Sequence, residues 1–324
     1  MRGWLIIAGV CAGLAGCATV PRDQAADLAK SGAEASDLAA KEVRDLSGRL
    51  DRQEELMAFT NTWETCIELA DPNQCEPADQ SDANAQEVGK LIRAINLRAD
   101  ALTALADAYR ALGQEAQYDA AGAMEAVVGR LTTSVNAYAD ILQPGSGALI
   151  SAPLGSAISQ GAGLLAGDRQ RTRLRNGSAR IRDAVVLLRR SLGAEMRLFN
   201  ALSGSFADQE GAAVEALYNA GLISRSPLLQ PMAADLGVTL VPDAEQILAS
   251  NPSARGATLA FLRGQANDRV RLQAARYDAI LNTLAKLETA HTDFETVGAA
   301  DIADLNRAIA EITALIPAPK EAAR

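Results

Sequence analysis

From Val88 onward, apolar residues recur in alternating steps of four and three: Val88, Ile92, Ile95, Ala99, Leu102, Ala106 and Tyr109. This is the spacing of one helix face; a half-buried strand would alternate every second residue instead. Leu91, Leu105 and Leu112 widen the stripe. After a weak point at Gly113 it resumes through Tyr118, Met124, Val127, Leu131, Val135, Tyr138 and Leu142. Leu259, Leu262, Tyr277, Leu281, Leu284, Leu287 and Phe294 mark another long helix. Ile302, Leu305, Ile309, Ile312 and Ile316 share one face of a short one. Helices with one apolar face must bury it against each other. The stripes therefore predict an all-α fold, an elongated antiparallel bundle of long helices. Composition agrees, because the chain is alanine-rich and holds only five Phe, five Tyr and two Trp, a balance that favours helix over strand.

Residues 22–70 also read as one long helix, with Pro21 at its start, where proline is tolerated. Its apolar positions Leu28, Val43, Leu46, Leu50 and Met57 are sparse, so much of its surface should stay wet. Between 203 and 256 the texture changes, with Pro227, Pro231, Pro242, Pro252 and several glycines. Short helices and loops are expected there, capping one end of the bundle. "LGVTLV" could form a short strand, but nothing obvious pairs with it. No low-complexity linker divides the chain, so residues 22–316 are expected to form one bundle domain and 317–324 a disordered tail.

The N-terminus states an address. "MRGWLIIAGVCAGLAGC" has one basic residue, Arg2, an apolar run from Trp4 to Ala15, and a small-residue end. That pattern is a secretory signal, and its apolar run is too short to span a bilayer. Leu14-Ala15-Gly16-Cys17 resembles the lipobox of bacterial lipoproteins. The resemblance covers only the first 17 residues, but position, residue types and preceding core all fit. It implies that residues 1–16 are removed and that Cys17 is diacylated on sulfur and then N-acylated. Three acyl chains exceed the two signals needed for stable anchoring. Ala18, rather than Asp, follows the cysteine, which by enterobacterial sorting rules implies the outer membrane, facing the periplasm. Residues 17–21 then form a short lipidated link, and the body should sit close to the membrane.

Removing the signal leaves Cys66 and Cys75, separated by a Pro-Asn turn. In an oxidising compartment such a pair reads as a disulfide, contributing roughly 2.5 kcal/mol by loop closure. A zinc site is the rival, but two thiols without a nearby His are poor spacing for it. No metal or cofactor is expected.

Residues 147–167 carry no charge and place a small residue at every fourth position: Gly147, Ser151, Gly155, Ser159, Gly163 and Gly167. Such spacing lets helix backbones approach closely, in lipid or in protein. The uncharged length would cross a hydrocarbon core, but Pro153 interrupts it and Leu and Ile are few. Three readings stay open: a transmembrane helix, a Gly/Ala-rich tip or hairpin packed against protein, and a tip that meets membrane conditionally. The packed tip is the expectation. The conditional tip is similar in architecture to the membrane-active head of ClyA-type α-helical pore-forming toxins. That likeness rests on this segment and its helical flanks, without a diagnostic motif.

Arginines follow the segment. Arg169, Arg171, Arg173 and Arg175 open a run that continues through Arg180, Arg182, Arg189, Arg190 and Arg197. Residues 22–140, by contrast, carry 22 acidic and 11 basic side chains. The basic helix is expected to pack beside the acidic ones. An anion site for lipid phosphate at Arg169, Arg171, Arg173 and Arg175 is the sharper alternative. Nucleic acid is not an expected partner, since no aromatics interleave with the arginines to stack on bases.

Motifs for catalysis are missing: no Gly-rich phosphate loop after a strand, no H-E-x-x-H and no G-x-S-x-G elbow. The one histidine, His291, follows Leu284 and Leu287 at helical spacing and reads as a packed side chain. No catalytic residue is assigned. The chain is expected to be a non-enzymatic envelope lipoprotein with a structural or interaction role and an envelope protein as partner. A membrane-perturbing protein using residues 147–167 is the alternative.

Overall fold

The computed structural model describes residues 22–67, 82–117, 121–142, 166–220, 222, 230, 233–296 and 302–316. Nearly all of them are helical: α1 (Arg22–Ile67), α2 (Asp82–Gln117), α3 (Ala121–Leu142), α4 (Ala166–Asn219), α5 (Ala244–Ser250), α6 (Pro252–Thr296) and α7 (Ile302–Leu315). No strand occurs among the described residues. The fold is all-α, with bundle-like helix packing, as the stripes require.

Local chemistry sets several boundaries. Asn251 adopts an extended backbone (φ −102°, ψ 110°), and its side-chain oxygen accepts from the Ser253 amide at 3.0 Å. That is an N-cap, and Pro252 follows at the first helical position, where its missing amide costs nothing. Gly113 does not break α2. It faces α1, and a Cβ there would lie 3.2 Å from the Ala29 methyl, so the glycine marks a close helix approach. α4 also runs on through Gly204 and Gly211 to Asn219. The loop-rich cap expected from residue 203 therefore begins later, because helix-forming residues in "ADQEGAAVEALYN" outweigh the two glycines.

The chain packs as two compact units. Unit 1 comprises residues 1–46, 91–195 and 276–324; unit 2 comprises 47–90 and 196–275. Helices α1, α2, α4 and α6 each contribute to both, so no linker composition marks the boundary.

Unit 1 holds the large core. Leu28, Leu102, Leu105, Leu112, Leu131, Leu174, Ile181 and Leu188 are completely or almost completely buried, each contributing about 1.5–3 kcal/mol of transfer free energy. Ion pairs and hydrogen bonds fix the helix directions. Asp37 pairs with Arg110 and Arg44 with Thr103, so α1 and α2 are antiparallel. Arg98 meets Glu195 and Arg173 meets Glu115, so α2 and α4 are antiparallel. Lys286 meets Asp304 and Arg276 reaches the Leu315 carbonyl, so α6 and α7 form an antiparallel pair. α3 is the exception. Its Met124 faces Gly177 of α4, while Tyr138 feels the charge of Glu195 farther along the same helix. α3 and α4 therefore run in the same direction. The link between them, where the packed tip is expected, lies outside the described residues. Gly147, Ser151, Gly155, Ser159 and Gly163 lie outside the described residues; Gly167 is in the first turn of α4.

Candidate functional site

The chemistry-bearing side chains of unit 1 point inward. His291 of α6 is fully buried. Its Nε2 lies 2.8 Å from Tyr109 Oη on α2, and its Nδ1 lies 2.7 Å from Ser178 Oγ on α4. Ser178 donates to Glu295 Oε1 at 3.2 Å, and the other Glu295 oxygen accepts from Arg182. One proton arrangement satisfies the whole chain. Tyr109 donates to a neutral imidazole, the Nδ1 hydrogen points at Ser178, and Ser178 donates to the carboxylate.

Electrostatics support that assignment. Burial, with Arg182 adding to it, pushes the His291 pKa down to about 3. Burial also raises the Tyr109 phenol. Glu295 is raised by desolvation, partly offset by Arg182 and by the Ser178 hydroxyl. The Ser–His contact superficially suggests a nucleophile and its base. Here the histidine donates to the serine oxygen and both side chains are fully enclosed. The chain ties α2, α4 and α6 together.

Three arginine–carboxylate pairs do the same elsewhere in unit 1. Arg98 contacts Glu195 at 2.7 Å and lies over the Tyr277 ring, 5.7 Å from its centroid. Tyr277 donates to the Leu192 carbonyl at 2.9 Å. Arg173 contacts the fully buried Glu115 at 2.8 Å. Gln170 donates to the Glu115 backbone carbonyl at 2.6 Å. Arg276 contacts Glu42 at 3.1 Å, and its Nε donates to the Leu315 carbonyl at 2.8 Å. That last pair clamps the end of α7 onto α1. Buried pairs of this kind specify register more than they add stability.

The arginine run of α4 is thus partly consumed inside the protein. Arg173, Arg182 and Arg189 pair with Glu115, Glu295 and Glu288. Arg171 is partly buried and Arg175 exposed. The Arg169 side chain lies outside the described residues. Of the alternative anion site, then, Arg173 is already committed to a buried carboxylate.

Unit 1 also has an open groove of about 930 Å³ between α1 and α7. Ile302, Ile309 and Ala310 contribute its apolar part and Asp27, Lys30 and Glu34 its charges. Ser31 donates to Asn306 Oδ1 across it at 2.8 Å. The volume lies in the range of about 300–1,000 Å³ typical of small-molecule sites. The groove is open, however, and no buried charge converges on it.

Cys66 closes α1, partly buried, and its sulfur is in a disulfide. Cys75 and Cys17 lie outside the described residues. Among the described residues no three His, Cys, Asp or Glu side chains gather as a metal site, and no helix is long and apolar enough to cross a membrane. Sequence reasoning found His291 but missed its partners. Tyr109 was visible as a polar-tipped ring inside the apolar stripe, and Arg98 as a charge three residues after Ile95 on the same face. Ser178 and Glu295 carried no signal. No protein-family model matches the chain, and neither a curated protein nor a solved structure matches it.

Proposed function

We propose that the chain is a lipid-anchored protein of the bacterial envelope, facing the periplasm, with a structural or protein-interaction role. The observation that carries this reading is Leu14-Ala15-Gly16-Cys17 behind a short apolar run. The position of α1, which begins at Arg22, fits an anchor only a few residues from the folded body. The inward direction of the polar chemistry in unit 1 supports a scaffold role. A disulfide between Cys66 and Cys75 belongs to the same reading.

The test is Cys17→Ser. Mass spectrometry of the wild-type protein should find acyl chains on Cys17, and the variant should lose them and leave the membrane fraction. An unmodified Cys17 with unchanged membrane association would overturn the proposal.

A further inference from the structure

Exposed apolar side chains are distributed very unevenly. Of the nine large hydrophobic residues that stand exposed among the described residues, eight belong to unit 2; Ile141 is the exception. Four of the eight fall in one short segment: Leu236, Val238, Val241 and Ile247, with Leu236 at 74% exposure. Lone exposed apolar residues need no explanation, but four exposed within twelve positions of sequence point to an interaction site.

The backbone presents this segment. Gly237 has φ +65°. Its amide donates to the Ala234 carbonyl, and the Val238 amide donates to the Ala233 carbonyl. This is a Schellman turn, which closes a helical turn and redirects the chain. Residues 238–241 leave it in non-helical, non-turn conformation. Among the described residues no backbone hydrogen bond engages Thr239 or Leu240. A short, exposed, β-prone stretch outside helix and turn is the donor half of β-strand addition.

Charge selects the occupant. Exposed Asp235 and Asp243 bracket the segment, and no Lys or Arg occurs from residue 226 to 254. Unit 2 as a whole has 17 acidic and nine basic residues, against 23 and 22 in unit 1. A second copy fits poorly. Antiparallel self-pairing about Thr239 sets Asp235 opposite Asp243, and parallel pairing sets each aspartate against itself; like charges directly opposite are destabilising. Anionic lipid is repelled for the same reason. We infer that residues 235–247 dock a protein partner that offers an extended strand edge with apolar side chains and a basic rim. The inference deepens the interaction role proposed above and does not depend on the lipid anchor.

The experiment uses the full chain and three peptides of about ten residues: alternating Lys–Val, Lys–Ser and Glu–Val. Lys–Val should bind, and the other two should not. Leu236→Ser/Val238→Ser/Val241→Ser should weaken binding about tenfold with unchanged thermal melting, because the three side chains are exposed. Asp235→Asn/Asp243→Asn should weaken it several-fold and flatten its salt dependence. Equal binding of Lys–Ser, or equal binding by the serine variant, would reduce the effect to bulk charge and overturn the inference. So would self-association, or flotation with anionic vesicles, that the serine variant abolishes. In cells, a photo-crosslinker at residue 239 should capture a basic protein. Adducts from a crosslinker at residue 306 in the α1–α7 groove, with none at 239, would sink this inference while leaving the interaction role intact.

Discussion

The Tyr109 ring occupies the space that a side chain on Gly32 would need: a Cβ there would come closer than 3.0 Å to three ring atoms. Inside a helix, Gly→Ala normally stabilises by roughly 0.5–1 kcal/mol. Here the sign should reverse. Tyr109 is fully buried and tethered to His291, so it cannot swing away cheaply. Gly32→Ala should cost about 1–3 kcal/mol by overpacking, read as a lower denaturant midpoint. A stabilised variant would mean that the α1–α2 approach is looser than described.

The same tyrosine reports on the histidine. Tyr109→Phe keeps the ring and removes the only donor to His291 Nε2 among the described residues. Leaving a buried acceptor unmet costs about 1–3 kcal/mol. Its double-variant cycle with Ser178→Ala should show coupling, since both act through one imidazole. Strictly additive losses would show that the hydrogen-bonded chain is not a unit.

Protonation of His291 gives a pH test. Its folded pKa, about 3, lies below the ordinary 6.5. The unfolded chain therefore binds the proton first, and stability falls as pH drops below about 6.5, by up to about 1.4 kcal/mol per pH unit. The loss would be complete only near the folded pKa, where carboxylates titrate as well. Between pH 6.5 and 5 the histidine dominates. Urea midpoints of the wild type should decline across that window, and those of His291→Gln should stay nearly flat. Equal slopes in the two proteins would show that the imidazole is not held neutral.

Much of this core was legible because burial follows period. Ile95, Ala99, Leu102, Ala106 and Tyr109 are all buried, as their spacing requires. Period carries no direction, however, so nothing in the stripe of α3 showed that it runs the same way as α4. Nor does period report what a stripe meets. The α6 stripe was read as starting at Leu259, yet Leu259 is only partly buried, and among the described residues of that helix the first buried ones are Arg276 and Tyr277. The ion pairs were hidden for a different reason. Glu42 and Arg276 are separated by 234 positions, and each looks like an ordinary charge on a helix until the two faces meet.

That pair supports a comparison with exposed ones. Glu42 and Arg276 keep only 6% and 8% of their side-chain surface in water. Arg276→Met takes the buried arginine away from the Glu42 carboxylate and frees the end of α7, at a cost of about 3–5 kcal/mol. Replacing both with Met and Leu of similar volume should recover most of that loss, because the buried carboxylate is removed together with its arginine. Arg263–Glu215 and Arg271–Asp268 lie on the surface of unit 2. Breaking either should change stability by less than about 1 kcal/mol. The measurement is chemical unfolding of the four variants at two salt concentrations, with salt affecting only the exposed pairs. A mild Arg276→Met, or a double variant no better than the single, would show that Arg276 acts through its bond to the Leu315 carbonyl and not through Glu42.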